Sequence, residues 1–501
     1  MPPLKPLPSL CVALGFADSN ELLKQARREV EAGETLLEFR LDHLDQPAAG
    51  LVAIRRLLEE HPECLILATC RRRQNHGLFG GSVEEQVGLL ESAAGAGAKA
   101  VDLEIESAER ALPAVARLRD ITPVVVSYHN FEATPPLAAV MRRLLRCPAD
   151  AYKIATAARK PSDIGRLLAL PKADPKIPLV VQAMGEIGFP SRVLAPMQGG
   201  LFTYAAPQVA GGTAPGQVSA HLMKHLYRLG KLSKASRVYG VIADPVGHSI
   251  SPAVHNRAFQ ARRIDAVYLP FLVPSPHLRD FMGLATSLPV TGFSVTIPHK
   301  QRVLRYLDAV DPLAKRIGAV NTVWRKAGKW RGLNADAPAV ITPLARHLRL
   351  ARKSVLLVGS GGAARAAAFA LTDEGARVSI VGIEQPQVCA LARACGGEVL
   401  LEGQLGKRHF DALIHATPLG MFPNVEGCYF QDRIPADIVL DMVYNPLETA
   451  LVRRAREQGK IVVPGLQMFL EQAARQFEVW TGESAPRPAM EKAAREALGT
   501  G

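Results

Sequence analysis

Eight short aliphatic runs recur along residues 10–205: LCVAL (10–14), LLEFR (36–40), LILATC (65–70), AVDLEI (100–105), PVVVSYH (123–129), AYKIA (151–155), LVVQAM (179–184) and GLFTY (200–204). Each is too short for a typical helix and suits a buried strand. The stretches between them, such as NELLKQARREVEAG and SVEEQVGLLESAAGAG, place leucine, valine and alanine at helical spacing and stop on glycine, as amphipathic helices do. Alternation of this kind over about 200 residues predicts a compact (β/α)8 barrel of the TIM type, a fold that carries its chemistry at the C-terminal ends of its strands.

The basic segment GKLSKASR (230–237) lacks large apolar residues and reads as a connection. After it, VYGVIAD (238–244) opens a second α/β pattern, and ARKSVLLVGS (351–360) runs a strand into glycines 359, 361 and 362 and an alanine-rich helix. The expected units are therefore a barrel over 1–232, a small α/β substrate lobe over 238–340 completed by a C-terminal helix at about 466–482, and a Rossmann-like lobe over 341–465. A total of 501 residues accommodates three such units.

Composition narrows the class. At 48% hydrophobic and 21% charged the chain is globular. The net charge of +13 favours anionic partners. Nucleic acid is not expected, because the basic residues are scattered and three Trp and nine Tyr offer few stacking platforms. Seven cysteines, odd in number and never spaced C-x-x-C, support neither a disulfide framework nor a zinc site, so no metal is expected. The start MPPLKPLPSL lacks the features of a signal or transit peptide, and no run reaches the roughly 18 apolar residues of a membrane helix. A cytoplasmic enzyme without a membrane segment follows; its oligomeric state is left open.

Within the barrel pattern, Lys153 lies in the apolar strand AYKIA. Desolvation favours a neutral amine able to attack a carbonyl; the alternative is a side chain snorkelling to solvent. His129 ends the preceding strand and suits removal of a proton beside an imine. Glu38, Arg40, Arg71, Asp102, Glu104 and Arg192 crowd the same rim, either as substrate ligands or as structural ion pairs. Thr213 and Gln217 follow on the glycine-rich GGTAPGQ loop.

In E-F-R-L-D (38–42), V-D-L-E (101–104), S-Y-H-N-F (127–131), Y-K-I-A (152–155), S-R-V-L (191–194) and T-A-P-G-Q (213–217), residues 9–228 resemble type I 3-dehydroquinate dehydratase. The resemblance implies an imine at Lys153 and acid–base work by His129. It further implies that Arg192 pairs with the substrate carboxylate while Glu38, Arg71, Thr213 and Gln217 fix ring hydroxyls, with Arg40 counted beside them. One departure stands out in R-R-R-Q-N-H-G-L-F-G-G-S (71–82): the family's glutamate partner of the histidine is missing, and Gly80 is read as occupying its place. Glu84, Asp102 and Glu104 are the candidate substitutes.

In the second half, Gly359, Gly361, Gly362 and Ala363 between strand and helix suit a pyrophosphate resting on backbone N–H groups at a helix start. The next strand ends in Gly382, Ile383 and Glu384, and an acid there binds ribose hydroxyls where an arginine would take a 2′-phosphate. Lys300 and Asp336, on separate loops, form a possible proton-transfer pair, with Ser249, Ser251 and Asn321 nearby in pattern. Singly, each also suits a cap or a surface position.

The motifs H-S-I-S-P (248–252), S-V-T-I-P-H-K (294–300), G-A-V-N-T (318–322), G-L-N-A-D (332–336), G-S-G-G-A (359–363), H-A-T-P-L-G-M (415–421), D-M-V-Y-N-P (441–446) and G-L-Q-M-F-L-E-Q-A (465–473) resemble shikimate dehydrogenase over residues 238–482. The resemblance implies that Ser249, Ser251, Thr296, Asn321, Tyr444 and Gln472 hold the substrate and that Lys300 and Asp336 are catalytic. The glycine loop, with the region of Met442 and Gly465, would hold NADP, the family default. G-I-E in place of the family's arginine-containing N-R-T leaves NAD open, and paired serines in S-I-S favour shikimate over quinate. Together the halves resemble bifunctional enzymes that dehydrate 3-dehydroquinate and reduce the resulting 3-dehydroshikimate.

Overall fold

The computed structural model describes residues 7–208, 213–214 and 216–499. The first six residues of the MPPLKPLPSL segment, and Gly211, Gly212 and Pro215 of the GGTAPGQ loop, lie outside the described residues. Contacts divide the chain into two units, Met1–Ser236 with Leu269–Pro289, and Arg237–Tyr268 with Val290–Gly501.

The first unit holds eight parallel strands: β1 (Leu10–Leu14), β2 (Leu36–Arg40), β3 (Leu65–Thr69), β4 (Ala100–Glu104), β5 (Val124–Asn130), β6 (Ala151–Ala157), β7 (Leu179–Met184) and β8 (Thr203–Ala205). Their order, β7-β6-β5-β4-β3-β2-β1-β8, makes a nearly closed barrel. At the seam the Leu201 N–H donates to the Leu179 carbonyl at 2.8 Å. The last strand is shorter than the GLFTY run because pairing with β1 begins only at Thr203, opposite Leu10. Helices α1 (Ser19–Glu31), α2 (Ala49–Glu60), α3 (Val83–Gly95), α4 (Ile105–Ala108), α5 (Leu112–Ile121), α6 (Leu137–Leu144), α7 (Pro161–Ala173) and α8 (Pro190–Met197) lie between the strands in sequence. Their starts follow local chemistry: Asp18 caps α1, and Ser82 with Glu85 forms a capping box on α3.

Strand alternation sends residues i, i+2 and i+4 to one face. The lowest interior layer is apolar and includes Leu36, Leu67, Ala100, Val125, Ala151, Val180 and Tyr204. Two residues further along the strands stand Glu38, Thr69, Asp102, Ser127, Lys153 and Gln182, and the next step reaches Arg40, Arg71, Glu104, His129 and Ala155. The barrel is thus an apolar plug beneath two polar layers at its C-terminal end.

In the second half, β9 (Arg237–Ala243), β10 (Ala266–Leu272), β11 (Val290–Val295), β12 (Ala309–Val310), β13 (Thr322–Lys326) and β14 (Lys329–Leu333) form a mixed sheet ordered β10-β9-β11-β13-β14-β12. Between them run α9 (Ser251–Ala261), α10 (Leu278–Ser287) and α11 (Pro312–Ile317), and α12 (Asp336–Leu344) follows. A second sheet, from β15 (Ser354–Val358), β16 (Arg377–Val381), β17 (Glu398–Val399), β18 (Phe410–His415), β19 (Ala436–Asp441) and β20 (Ile461–Val463), is parallel throughout. Its order, β17-β16-β15-β18-β19-β20, is the doubly wound dinucleotide-binding order, whose reversal between β15 and β18 opens a crevice. Helices α13 (Gly362–Asp373), α14 (Gln385–Cys395), α15 (Ala450–Glu457), α16 (Gly465–Thr481) and α17 (Arg487–Ala497) complete the chain. Met468 of α16 joins the core of the parallel sheet, while Phe477 and Trp480 of the same helix stack on Phe259 and Tyr239 beside β9. One helix therefore serves both sheets.

Candidate active sites

Lys153 sits in the middle of β6, 5% exposed. Its Nζ donates to Asp102 Oδ2 at 2.9 Å and to the Tyr204 hydroxyl at 3.0 Å, and lies 3.7 Å from Glu38 Oε1. Asp102 also accepts from Ser127 Oγ at 2.6 Å, and Glu38 from Thr69 Oγ1 at 2.8 Å. A buried ammonium needs such partners. Burial pushes the Asp102 carboxyl up, but Lys153, Arg71 and the two hydrogen bonds outweigh it and hold it below the usual range. Burial and nearby carboxylates push the Tyr204 phenol well up, so it remains a neutral hydroxyl.

His129 is the penultimate residue of β5, one layer above Lys153. Burial, followed by the nearby cations Arg71, Lys153 and Arg40, holds its imidazole well below the ordinary histidine value, so the ring is an unprotonated base at neutral pH. Its buried Nδ1 has no hydrogen-bond partner among the described residues. Asp102 is committed to Lys153 and Ser127. Glu104 accepts from the Arg72 N–H at 3.0 Å and from Gln86 Nε2 at 2.8 Å, and Glu84 is exposed. Gly80 is also exposed, and a side chain grown there would meet the Arg73 guanidinium at 3.6 Å.

The remaining expected rim residues divide. Arg40 forms a two-pronged pair with Asp42, at 2.9 and 2.7 Å, which realises the structural ion-pair alternative for that residue. Arg71 is buried and its Nε has no hydrogen-bond partner among the described residues. Arg192, on α8, donates to the Tyr204 carbonyl at 3.2 Å; burial lowers its guanidinium, which stays charged at neutral pH. Thr213 N–H donates to Gln217 Oε1 at 2.7 Å, folding their loop on itself. A Cβ at Gly15, just after β1, would meet Thr213 at 2.9 Å, and one at Gly216 would meet the Gly185 carbonyl at 2.8 Å, just after β7. The loop therefore reaches the strand ends around Lys153.

In the second unit Lys300 Nζ donates to Asp336 Oδ2 at 2.6 Å. Asp336 is the first residue of α12, and its backbone N–H is capped by Asn334 at 3.0 Å. Asn321 Nδ2 donates to the other carboxylate oxygen at 2.7 Å and reaches Gln472 Oε1 at 3.5 Å. Thr322 and the Ala335 N–H in turn fix the Asn321 oxygen, each at 2.7 Å. Ser251 adjoins the Tyr268 hydroxyl and Ser249 the Tyr444 hydroxyl, and burial pushes the Tyr444 phenol up to about 12. Thr296 follows β11, its N–H donating to the Ile242 carbonyl at 3.2 Å. Lysine, aspartate and amides thus converge with two hydroxyl-bearing loops.

The glycine loop adjoins this cluster. Gly359 has φ +117°, and a Cβ there would meet the Ala416 carbonyl at 2.9 Å, so only glycine fits. Gly361 caps α13, and Gly362 and Ala363 are its first residues; their N–H groups are the anion-binding end of the helix. A Cβ on Gly362 would lie 3.3 Å from the Lys300 side chain, so the glycine loop and the Lys300–Asp336 pair share a wall. Gly465 starts α16 against the Asp441 carbonyl, which a Cβ would approach to 2.6 Å, and the Met442 N–H bonds the His415 carbonyl. Glu384 stands exposed just before α14.

The type I 3-dehydroquinase family matches residues 10–234. The shikimate dehydrogenase substrate binding domain matches residues 241–323, and the shikimate 5′-dehydrogenase C-terminal domain residues 465–495. The chloroplastic bifunctional 3-dehydroquinate dehydratase/shikimate dehydrogenase of Arabidopsis thaliana is 34% identical over 96% of this chain and 83% of its own. The chain belongs to this bifunctional family. A shikimate dehydrogenase (NADP(+)) of Bacillus anthracis is 40% identical over 49% of this chain and 93% of its own. The crystal structure of shikimate 5-dehydrogenase from Thermus thermophilus with NADP(H) and shikimate aligns at TM-score 0.49 and 33% identity, over 52% of this chain and 100% of that one. The protein is a lyase and an oxidoreductase of the shikimate pathway.

Sequence reasoning missed several residues of both halves. In the dehydratase barrel this is Tyr204, which touches Lys153 and whose place follows from closure of the sheet, with no local signal in GLFTY to mark it. In the dehydrogenase, Gln476 accepts from Ser294 at 2.9 Å and donates to the Asn321 carbonyl at 3.1 Å. Beside the glycine loop, His415 bonds Asp441 at 2.9 Å and Thr417 at 2.5 Å, and Thr449 also donates to Asp441 at 2.5 Å. In the neutral ring Nδ1–H donates to the carboxylate and Nε2 accepts the Thr417 hydroxyl, the tautomer that satisfies both.

Proposed function

We propose that Lys153, His129, Lys300 and Asp336 carry the two reactions in turn. Lys153 adds to the ketone of 3-dehydroquinate, the new carbon–nitrogen bond becoming an imine as water leaves. His129 removes a proton from the adjacent carbon, and the electrons left behind expel the ring hydroxyl, which departs as water with a proton returned by the same imidazole. Hydrolysis of the imine frees Lys153 and 3-dehydroshikimate. Arg192 faces the carboxylate, while Glu38, Arg71, Thr213 and Gln217 orient the hydroxyls.

For the second step the glycine loop fits a nicotinamide dinucleotide, since Gly359 tolerates no side chain and the start of α13 offers free N–H groups. When bound, the reduced dinucleotide supplies a hydride to the ketone carbon. Lys300, paired to Asp336, delivers the proton to the ketone oxygen, giving shikimate. Ser249, Ser251, Thr296, Asn321, Tyr444 and Gln472 hold the substrate. The names of the Bacillus relatives favour NADP(+) for this chain too. Glu384, in place of an arginine, removes the charge that would select the 2′-phosphate, so we expect NADPH to be used with weak discrimination against NADH.

The observation that carries the reading is a lysine–aspartate pair in each half, one within the polar layers of the barrel and one against the glycine loop. The test supplies 3-dehydroquinate and follows NADPH and NADH oxidation in parallel. Consumption of either supports both reactions. Consumption only with added 3-dehydroshikimate would fit a second reading favoured by the unpartnered Nδ1 of His129, a dehydratase weakened by the missing carboxylate.

A further inference from the structure

We infer that Gln182 is a substrate-binding residue of the dehydratase, holding a ring oxygen on the side of the imine opposite His129; this rests on the Lys153 reading above. Gln182 lies on β7, 5% exposed, and its Nε2 has no hydrogen-bond partner among the described residues. A buried amide donor left unpaired is costly, so a residue retained in that state is matched to something that arrives. It is not isolated. Arg71 Nε and His129 Nδ1 are likewise buried and without hydrogen-bond partners among the described residues, and strand parity places all three in the uppermost polar layers.

Register fixes their arrangement around Lys153. His129 pairs with Ala155, and Ala155 with Gln182. Ala155 is two residues beyond Lys153 on β6, so directly above the amine the wall carries only a methyl group. His129 and Gln182 flank that gap from the neighbouring strands, their backbones about 10 Å apart at the usual strand spacing. A six-membered ring joined to Lys153 therefore rises between an imidazole and an amide.

The substrate has a matching asymmetry. The ketone of 3-dehydroquinate has a methylene on one side and a hydroxyl-bearing carbon on the other. The methylene must face His129, which takes its proton. The hydroxyl-bearing carbon then faces Gln182, whose amide hydrogen bonds that oxygen. Gln182 neither gives nor takes a proton; it sets which way round the ring enters, and so which neighbour of the imine carbon meets the base.

The test uses the full chain with Gln182→Leu and Gln182→Met, apolar replacements of similar size. Both should raise KM for 3-dehydroquinate about tenfold, the value of one hydrogen bond, and should raise the melting temperature of the free protein because an unsatisfied amide is gone. Reduction of added 3-dehydroshikimate should be unchanged. A structural glutamine gives the opposite thermal sign, so variants that melt lower and lose activity in step would overturn the proposal. So would an unchanged KM in both. Borohydride reduction of wild-type protein with 3-dehydroquinate separates the two claims: no label on Lys153 removes the imine reading itself, whereas label with an unchanged KM in the variants removes Gln182 alone.

Discussion

Replacing Asp102 by asparagine isolates the charge that balances Lys153. The amide keeps both hydrogen bonds, its oxygen accepting from Lys153 and its NH2 donating to a reoriented Ser127 hydroxyl, so shape is conserved while the anion is lost. At 2.9 Å the pair attracts by about 6 kcal/mol with an effective dielectric of about 20. Desolvation of the carboxylate offsets part of that, and removing one member of a buried pair typically costs about 3–5 kcal/mol. Glu38 remains 3.7 Å from the ammonium, which places the loss near the lower end, about 3 kcal/mol. For a unit of this size that lowers the melting temperature by roughly 6–12 °C. The sign with pH is fixed as well. Asp102 titrates below its unfolded value of about 3.9, so its stabilisation is complete above that pH and fades as pH falls through the folded value. Thermal unfolding of wild type and Asp102→Asn, followed by near-ultraviolet circular dichroism from pH 7 to pH 3, should show a gap that is constant above about pH 4 and narrows below it. A gap under about 2 °C at pH 7, with dehydratase turnover intact, would refute the claim that this carboxylate holds the lysine.

Because burial and the cations Arg71, Lys153 and Arg40 depress His129, dehydratase kcat/KM should stay level down to about pH 6.5 and fall only below it; an acid limb centred above that value contradicts a free-base histidine. Lys300→Met should lower dehydrogenase kcat by about 10²–10⁴ while leaving the dehydratase rate alone, measured with each substrate supplied separately. Glu384→Arg should shift the NADPH/NADH ratio of kcat/KM towards NADPH by about tenfold or more, the scale of one charge-assisted contact to the 2′-phosphate; an unmoved ratio would take Glu384 out of the ribose site.

Strand parity made much of the barrel site readable in advance. In LLEFR the charged residues sit at alternate positions, and the same step links Asp102 to Glu104 and Ser127 to His129. What parity alone does not reveal is which of the two faces looks inward when both are apolar and buried, as in LVVQAM. Val180 and Gln182 face the barrel, and that follows only once register ties β7 to Lys153 on β6. Tyr204 was hidden for a related reason: β8 begins late, and its place beside Lys153 comes from closure of the sheet, a non-local property. Arg40 illustrates the reverse case. Its charge at the rim was legible, but Asp42, two residues on in a short turn, consumes it.

On the proposed function, the two lysines are put to two uses in closely similar surroundings. Lys153 lies within the barrel's polar layers and is held by oxygens of Asp102 and Tyr204 at 2.9 and 3.0 Å. Above it stands Ala155, so among the described residues the approach left without a partner is the approach from the mouth, where a carbonyl carbon must come to meet nitrogen. Lys300 has its stem along Gly362 and its nitrogen bound to Asp336 at 2.6 Å, with the second aspartate oxygen fixed by Asn321. Both nitrogens are thus held by an aspartate whose second oxygen is also hydrogen-bonded, by Ser127 in the barrel and by Asn321 in the second unit. What separates them is the rest of their surroundings: Lys153 also bonds the Tyr204 hydroxyl within the barrel, whereas the Lys300 stem lies along the glycine loop, which on the proposed function sets it beside the dinucleotide for proton transfer rather than addition.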